Sequence, residues 1–199
     1  MMLCMRGRAM DEKVSLNVLS GDIFRYLITI YSDEKDKIQL DKSKWNTYFL
    51  YEESGKRVIF SNKTENETVM FFKVDGGIIK DSERADLMVF YSNSRMSLLC
   101  VVELKGNNTD KALDQIGNTI RDLKDKLDMA GFNGKKLALI VSNPPKRKRA
   151  TLPSSLHKHR KLRKALKKYD RHFELLPFPK TPTVDFRRDI LEKYLDMDN

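Results

Sequence analysis

Residues 84–106 read Arg84-Ala-Asp-Leu-Met-Val-Phe-Tyr91, then Ser92-Asn-Ser-Arg-Met96, then Ser97-Leu-Leu-Cys-Val-Val-Glu-Leu-Lys-Gly106. Two runs rich in Val, Leu and Phe flank a short polar joint. That pattern predicts an antiparallel hairpin with strands at Ala85–Tyr91 and Ser97–Lys105. A turn centred between Ser94 and Arg95 sets Asp86 directly across from Glu103, on the same sheet face with Cβ atoms about 5 Å apart. Lys105, two residues beyond Glu103, shares that face. The run Leu98-Leu-Cys-Val-Val102 is apolar on both faces, as in a central strand covered on both sides.

The chain around the hairpin follows in order. Residues 107–130 carry a helical stripe of Ala112, Ile116, Ile120 (or Thr119), Leu123, Leu127 and Ala130. Asn108, Thr109 or Asp110 supplies its N-cap, and Gly131 and Gly134 end it. Lys136–Ser142 is a second buried strand, stopped by Asn143-Pro144-Pro145. Upstream, residues 11–31 carry a partial helical stripe of Val14, Val18, Ile23, Tyr26, Leu27 and Ile30, interrupted by Gly21. Arg57–Ser61 and Thr68–Asp75 read as strands. Residues 32–56 are polar, carry Trp45 and give no clear element. Downstream, Ser155–Tyr169 reads as a helix, His172–Pro177 as a last strand and residues 186–196 as a short closing helix. Helices on a mixed central sheet define an α/β fold. A length of 199 residues predicts one domain, with a core over about 11–142 and a basic helical elaboration over about 143–199.

Asp86, Glu103 and Lys105 are the informative constellation. Two carboxylates brought together at the end of a buried hairpin repel each other, and burial increases the penalty. A divalent cation relieves both problems, and hard oxygen ligands suit Mg²⁺ or Mn²⁺. The Leu104 backbone carbonyl is a further candidate ligand. Such a metal lowers the pKa of a bound water and stabilises charge on a phosphodiester, while the lysine positions water or neutralises the phosphorane. Glu-x-Lys by itself is a weak pattern. Its position at the end of an apolar strand, with Asp86 opposite, strengthens it.

Arg84-Ala-Asp86 on one strand, Val102-Glu-Leu-Lys-Gly106 on the next and a following helix bearing Gln115 resemble the PD-(D/E)XK nuclease superfamily. The resemblance covers about residues 11–142 and implies a restriction-endonuclease-like αβββαβ core. It implies that Asp86 and Glu103 bind metal, that Lys105 is catalytic and that Gln115 helps to shape the site. It also implies an acidic residue on the first helix, for which Glu12 and Asp22 are both candidates. The Asp of this chain is followed by Leu87 and preceded by Ala85, so the Pro-Asp pair is absent.

Charge supports a polyanionic partner. The net charge is +10. From Met129 to Tyr169 there are 13 Lys and Arg and no Asp or Glu, which leaves the remaining chain slightly acidic. Lys146, Arg147, Lys148 and Arg149 sit in a loop. Lys158, Arg160, Lys161, Arg163 and Lys164 follow on the predicted helix, whose Leu162, Ala165, Leu166 and Tyr169 turn inward. That is a phosphate-contacting surface without base-edge readout. DNA is the expected partner, RNA the second choice, and a homodimer would supply the two sites that a duplex cut needs. The alternative is a non-catalytic nucleic-acid-binding protein on the same fold. His157, His159 and His172 lack zinc spacing. Asp75, Asp81, Glu83, Asp110 and Asp114 read as turn, loop and helix-start charges. Cys4 and Cys100 are too few for a disulfide framework. The longest apolar runs are far short of a membrane span, and no signal peptide is recognisable. The expected compartment is cytoplasmic, with nucleoid association compatible with the charge.

Overall fold

The computed structural model describes residues 38–40, 49–61, 67–75, 83–105, 108–129, 132–142, 152–176, 179 and 181–195. The predicted helix over 11–31, with Glu12 and Asp22, lies outside these residues, as do Asp81 and the loop cations Lys146, Arg147, Lys148 and Arg149.

The strands are β1 (Ile38–Leu40), β2 (Phe49–Glu53), β3 (Lys56–Phe60), β4 (Thr68–Lys73), β5 (Leu87–Ser92), β6 (Ser97–Leu104), β7 (Lys135–Val141), β8 (Phe173–Leu175) and β9 (Thr183–Asp185). The helices are α1 (Thr109–Met129), α2 (Leu152–Leu166) and α3 (Glu192–Leu195), the last preceded by a π-helical turn at Arg187–Leu191. A central six-stranded sheet has the order β1-β4-β5-β6-β7-β8. Its first three pairings are antiparallel and its last two parallel. The helix α1 makes the crossover between the parallel strands β6 and β7, as parallel pairing requires.

The expectation of one mixed sheet needs correction, because β3 belongs to a second, three-stranded sheet of order β2-β3-β9. The reason is the two-sided hydrophobicity of the central strands. Along β6 every residue after Ser97 is buried, so the sheet needs cover on both faces. One face packs against α1 and α2. There Met88, Phe90, Leu99, Val101, Ala138 and Ile140 meet Ala112, Ile116, Ile120, Leu123, Leu162 and Leu166. The opposite face, with Leu87, Val89, Tyr91, Leu98, Cys100, Val102 and Leu139, packs against Val58, Phe60, Val184, Phe186, Ile190 and Leu191. The molecule is therefore three-layered, with helices on one face and the small sheet with the C-terminal turn on the other.

The described residues beyond 143 consequently contribute to both cores. Leu162, Leu166, Phe173 and Leu175 belong to the first core, and Leu176, Val184, Phe186, Ile190 and Leu191 to the second. A polar network ties this C-terminal segment down. Arg187 pairs with Glu67, which accepts a hydrogen bond from the Tyr91 hydroxyl at 2.7 Å. Ser61 Oγ donates to Asp185 Oδ2 at 2.6 Å. Among the described residues, no helix is long and apolar enough to cross a membrane.

Candidate active site

The hairpin register brings the acidic pair together. Asn93 Oδ1 accepts the backbone N–H groups of Arg95 and Met96 at 2.9 Å each, and Asn93 N donates to Met96 O at 3.0 Å. This closes a turn centred between Ser94 and Arg95. The ladder then runs from Ser92↔Ser97 to Leu87↔Val102. The next position along each chain is Asp86 and Glu103. Asp86 leaves the ladder there, and its Oδ2 accepts the Leu104 N–H at 2.6 Å. The carboxylate thus caps the end of β6. Leu104 itself is buried in the second core.

The helix α1 positions the start of β5 from the other side. Asn108 is the N-cap, its Oδ1 accepting Lys111 N at 3.0 Å. Gln115, Thr119 and Asp122 lie on one face of the helix. Gln115 Nε2 donates to Arg84 O at 3.0 Å, Thr119 Oγ1 accepts Ala85 N at 2.9 Å, and Asp122 pairs with Arg84 Nε at 2.7 Å. Three contacts at successive turns of one helix therefore hold residues 84 and 85, and with them Asp86. Gln115 also accepts the Lys105 ammonium on its Oε1 at 2.7 Å. Lys105 Nζ lies 3.3 Å from Glu103 Oε1. Asp86, Glu103, Lys105 and Gln115 are therefore one contiguous group. The Thr119 and Asp122 clamp is absent from the sequence reading. In the sequence Thr119 reads as an apolar-stripe position, and no local pattern assigns a helix face its partners.

Electrostatics set this group apart. Burial raises the pKa of Asp86, opposed by the Leu104 hydrogen bond and the Lys105 charge. Burial also raises Glu103, more strongly, reinforced by the Asp86 charge and opposed by Lys105. Each carboxylate therefore resists ionisation beside the other. Glu53 on β2 adds repulsion on both, and Asp75 adds it on Asp86. Asp75, read as a turn residue, is thus part of the electrostatic surroundings of the site. Among the described residues, two buried side-chain atoms have no hydrogen-bond partner, Glu103 Oε2 and Thr109 Oγ1. Glu103 stands at the end of β6 and Thr109 at the start of α1, so both atoms lie at the carboxyl end of the central strands. Buried oxygens are nearly always satisfied.

The remaining candidates fall as follows. Lys158, Arg160, Lys161, Arg163 and Lys164 are exposed on α2. His159 Nε2 lies 3.2 Å from Leu176 O, and His172 Nε2 accepts from Arg171 Nε at 3.1 Å. Cys100 is buried and its thiol pKa is pushed up by that burial, which leaves an inert thiol.

Among the described residues, no group of three or more His, Cys, Asp or Glu side chains is placed to hold a metal ion. Two carboxylates do meet, one with a buried oxygen lacking any donor. Such a hard, under-satisfied oxygen pair, ionised on binding a cation, would suit Mg²⁺ or Mn²⁺ with water and backbone oxygen completing the shell. Comparison with protein-family models, with curated proteins and with solved structures finds no match.

Proposed function

We propose that this protein is a divalent-metal-dependent endonuclease that hydrolyses DNA phosphodiesters, with RNA as the second substrate, on a PD-(D/E)XK-like core. The observation that carries the reading is the buried Asp86–Glu103 pair with its unsatisfied Glu103 oxygen, beside Lys105. The strand order β4-β5-β6-β7 with α1 between the parallel pair supports it, as does the exposed basic face of α2.

Asp86 and Glu103 would hold Mg²⁺ or Mn²⁺, which supplies Lewis-acid activation of water and charge neutralisation on the phosphodiester. The chain's own residues prepare that site. The Leu104 N–H fixes one Asp86 oxygen. Gln115 and Glu103 fix the Lys105 ammonium from two sides, and an ammonium so held stabilises negative charge developing on phosphate oxygens. The α2 cations hold the backbone of the substrate.

The test is metal-dependent cleavage of supercoiled plasmid, linear duplex, single strands and a four-way junction, with Mg²⁺, Mn²⁺ or EDTA. Cleavage by wild type that Glu103→Ala and Lys105→Ala both lack supports the reading. Intact DNA binding without cleavage in any metal overturns it in favour of a binding protein.

A further inference from the structure

Along the helical layer a second basic surface lies outside the proposed site. Tyr169 follows α2 and packs over α1 at Gly117. Its ring borders a depression of about 420 Å³ lined by Lys124, Lys167, Asp170, Arg171 and His172. It also borders one of about 490 Å³ lined by Leu113, Asp114, Arg121, Ala165 and Lys168. The two contain five Lys or Arg side chains against two carboxylates. Asp170 is turned inward, 3.8 Å from the Lys136 ammonium and accepting His172 N at 2.8 Å. Asp114 accepts the Tyr169 hydroxyl at 3.4 Å. Lys124, Lys167 and Arg171 are exposed.

The strand registers place this surface relative to the carboxylates. Glu103 is level with Ile140 of β7. Phe173, which follows the groove residues, is level with Lys136. The four steps of β7 from Lys136 to Ile140 span about 13 Å along the strand. The groove is therefore displaced from the site along the strand direction, two strands over from β6, and a polynucleotide with phosphates about every 3.4 Å along its axis is long enough to span such a displacement. The exposed cations of α2 lead up to it through Lys167 and Lys168.

We infer that the groove of Lys124, Lys167 and Arg171 beside Tyr169 is a phosphate-backbone site for the same polynucleotide. The inference rests on the nuclease reading for the identity of that polyanion. Tyr169 is half-buried against Gly117 and lines both depressions, so its ring is not counted as a base-stacking platform. Among the described residues lining the Lys124 side none is aliphatic, which argues against a membrane surface.

The test uses the full chain in EDTA, a labelled duplex as probe, and salt varied between about 50 and 200 mM. The variant is Lys124→Gln/Lys167→Gln/Arg171→Gln. Its control is Arg57→Gln/Arg188→Gln/Lys193→Gln, matched in charge on the opposite layer. Thermal unfolding confirms that both fold. The expected result is a slope of log affinity against log salt that is shallower by about 2 to 3 in the groove variant, and unchanged in the control. Equal slopes in wild type and groove variant overturn the inference and leave the catalytic reading standing. Binding to phosphatidylserine vesicles without binding to duplex overturns it as well. A shallower groove-variant slope with no cleavage by wild type in any metal supports the groove while removing the nuclease.

Discussion

Glu103 is 1% exposed and has one oxygen without a donor. Its raised pKa, like that of Asp86, means the folded chain holds protons that the unfolded chain releases. The stability this contributes is fully present below the ordinary carboxylate range of about 4 and is lost as pH rises through the raised values. In EDTA, wild type is therefore expected to lose thermal stability with rising pH above that range. Glu103→Gln should flatten the dependence and stabilise the metal-free protein at alkaline pH by about 1–3 kcal/mol. Thermal unfolding across the pH range checks this, and parallel curves for the two proteins would contradict it. Lys105→Ala should lower the cleavage rate on the order of 10²-fold or more. Gln115→Ala should cost less, since the ammonium keeps Glu103 as a partner. A Gln115→Ala rate as low as that of Lys105→Ala would mean that Gln115 does more than position the lysine.

Two turns show how local chemistry sets an element's geometry. The Asn93 side chain closes the β5–β6 turn and thereby sets the register that aligns Asp86 with Glu103. Its signal is readable because Asn at a turn bonds its own following backbone. The β2–β3 hairpin turns at Ser54 and Gly55, with φ of 50° and 70°. Positive φ at both central residues is the geometry that matches strand twist. That Ser-Gly signal lies within the polar stretch 32–56, whose apolar residues are too few to mark the strand β2 before it. At Gly117 an added Cβ would lie 2.4 Å from the Tyr169 ring. Gly117→Ala should destabilise the fold by about 1–3 kcal/mol. In Gly117→Ala/Tyr169→Ala that cost should fall below the sum of the two single changes, because the clash partner is gone. Additive thermal shifts would show that the ring does not rest on the glycine.

Across the molecule, the C-terminal third completes the core instead of decorating it. Ending the chain after residue 142 removes Leu162, Leu166, Phe173 and Leu175 from one face and Val184, Phe186, Ile190 and Leu191 from the other. Burial of such side chains is worth about 1.5–3 kcal/mol each, so together they match or exceed the total stability of a typical domain. A 1–142 fragment is expected to show no cooperative thermal transition and to bind a hydrophobic dye. A sharp transition at the wild-type temperature would restore the smaller core. The hairpin β5–β6, the helix α1 and the strand β7 were all legible, because each announces itself within a short window through apolar period and turn residues. So was the meeting of Asp86, Glu103 and Lys105, which follows from period and register alone. The strands β1 and β9 were not legible. Each has three residues, and β9 pairs in parallel with β3, more than a hundred residues away. Pairing over that separation leaves no mark on local sequence. For the same reason the chain's residue pattern determined the α/β class, the doubly apolar central strand and the acidic pair with its lysine. Which layer covers each face, the Gln115–Thr119–Asp122 clamp on Arg84 and Ala85, and the buried Glu103 oxygen without a partner emerge only when distant segments pack together. Burial and pairing are properties of what surrounds a residue, and those surroundings are assembled by the whole chain.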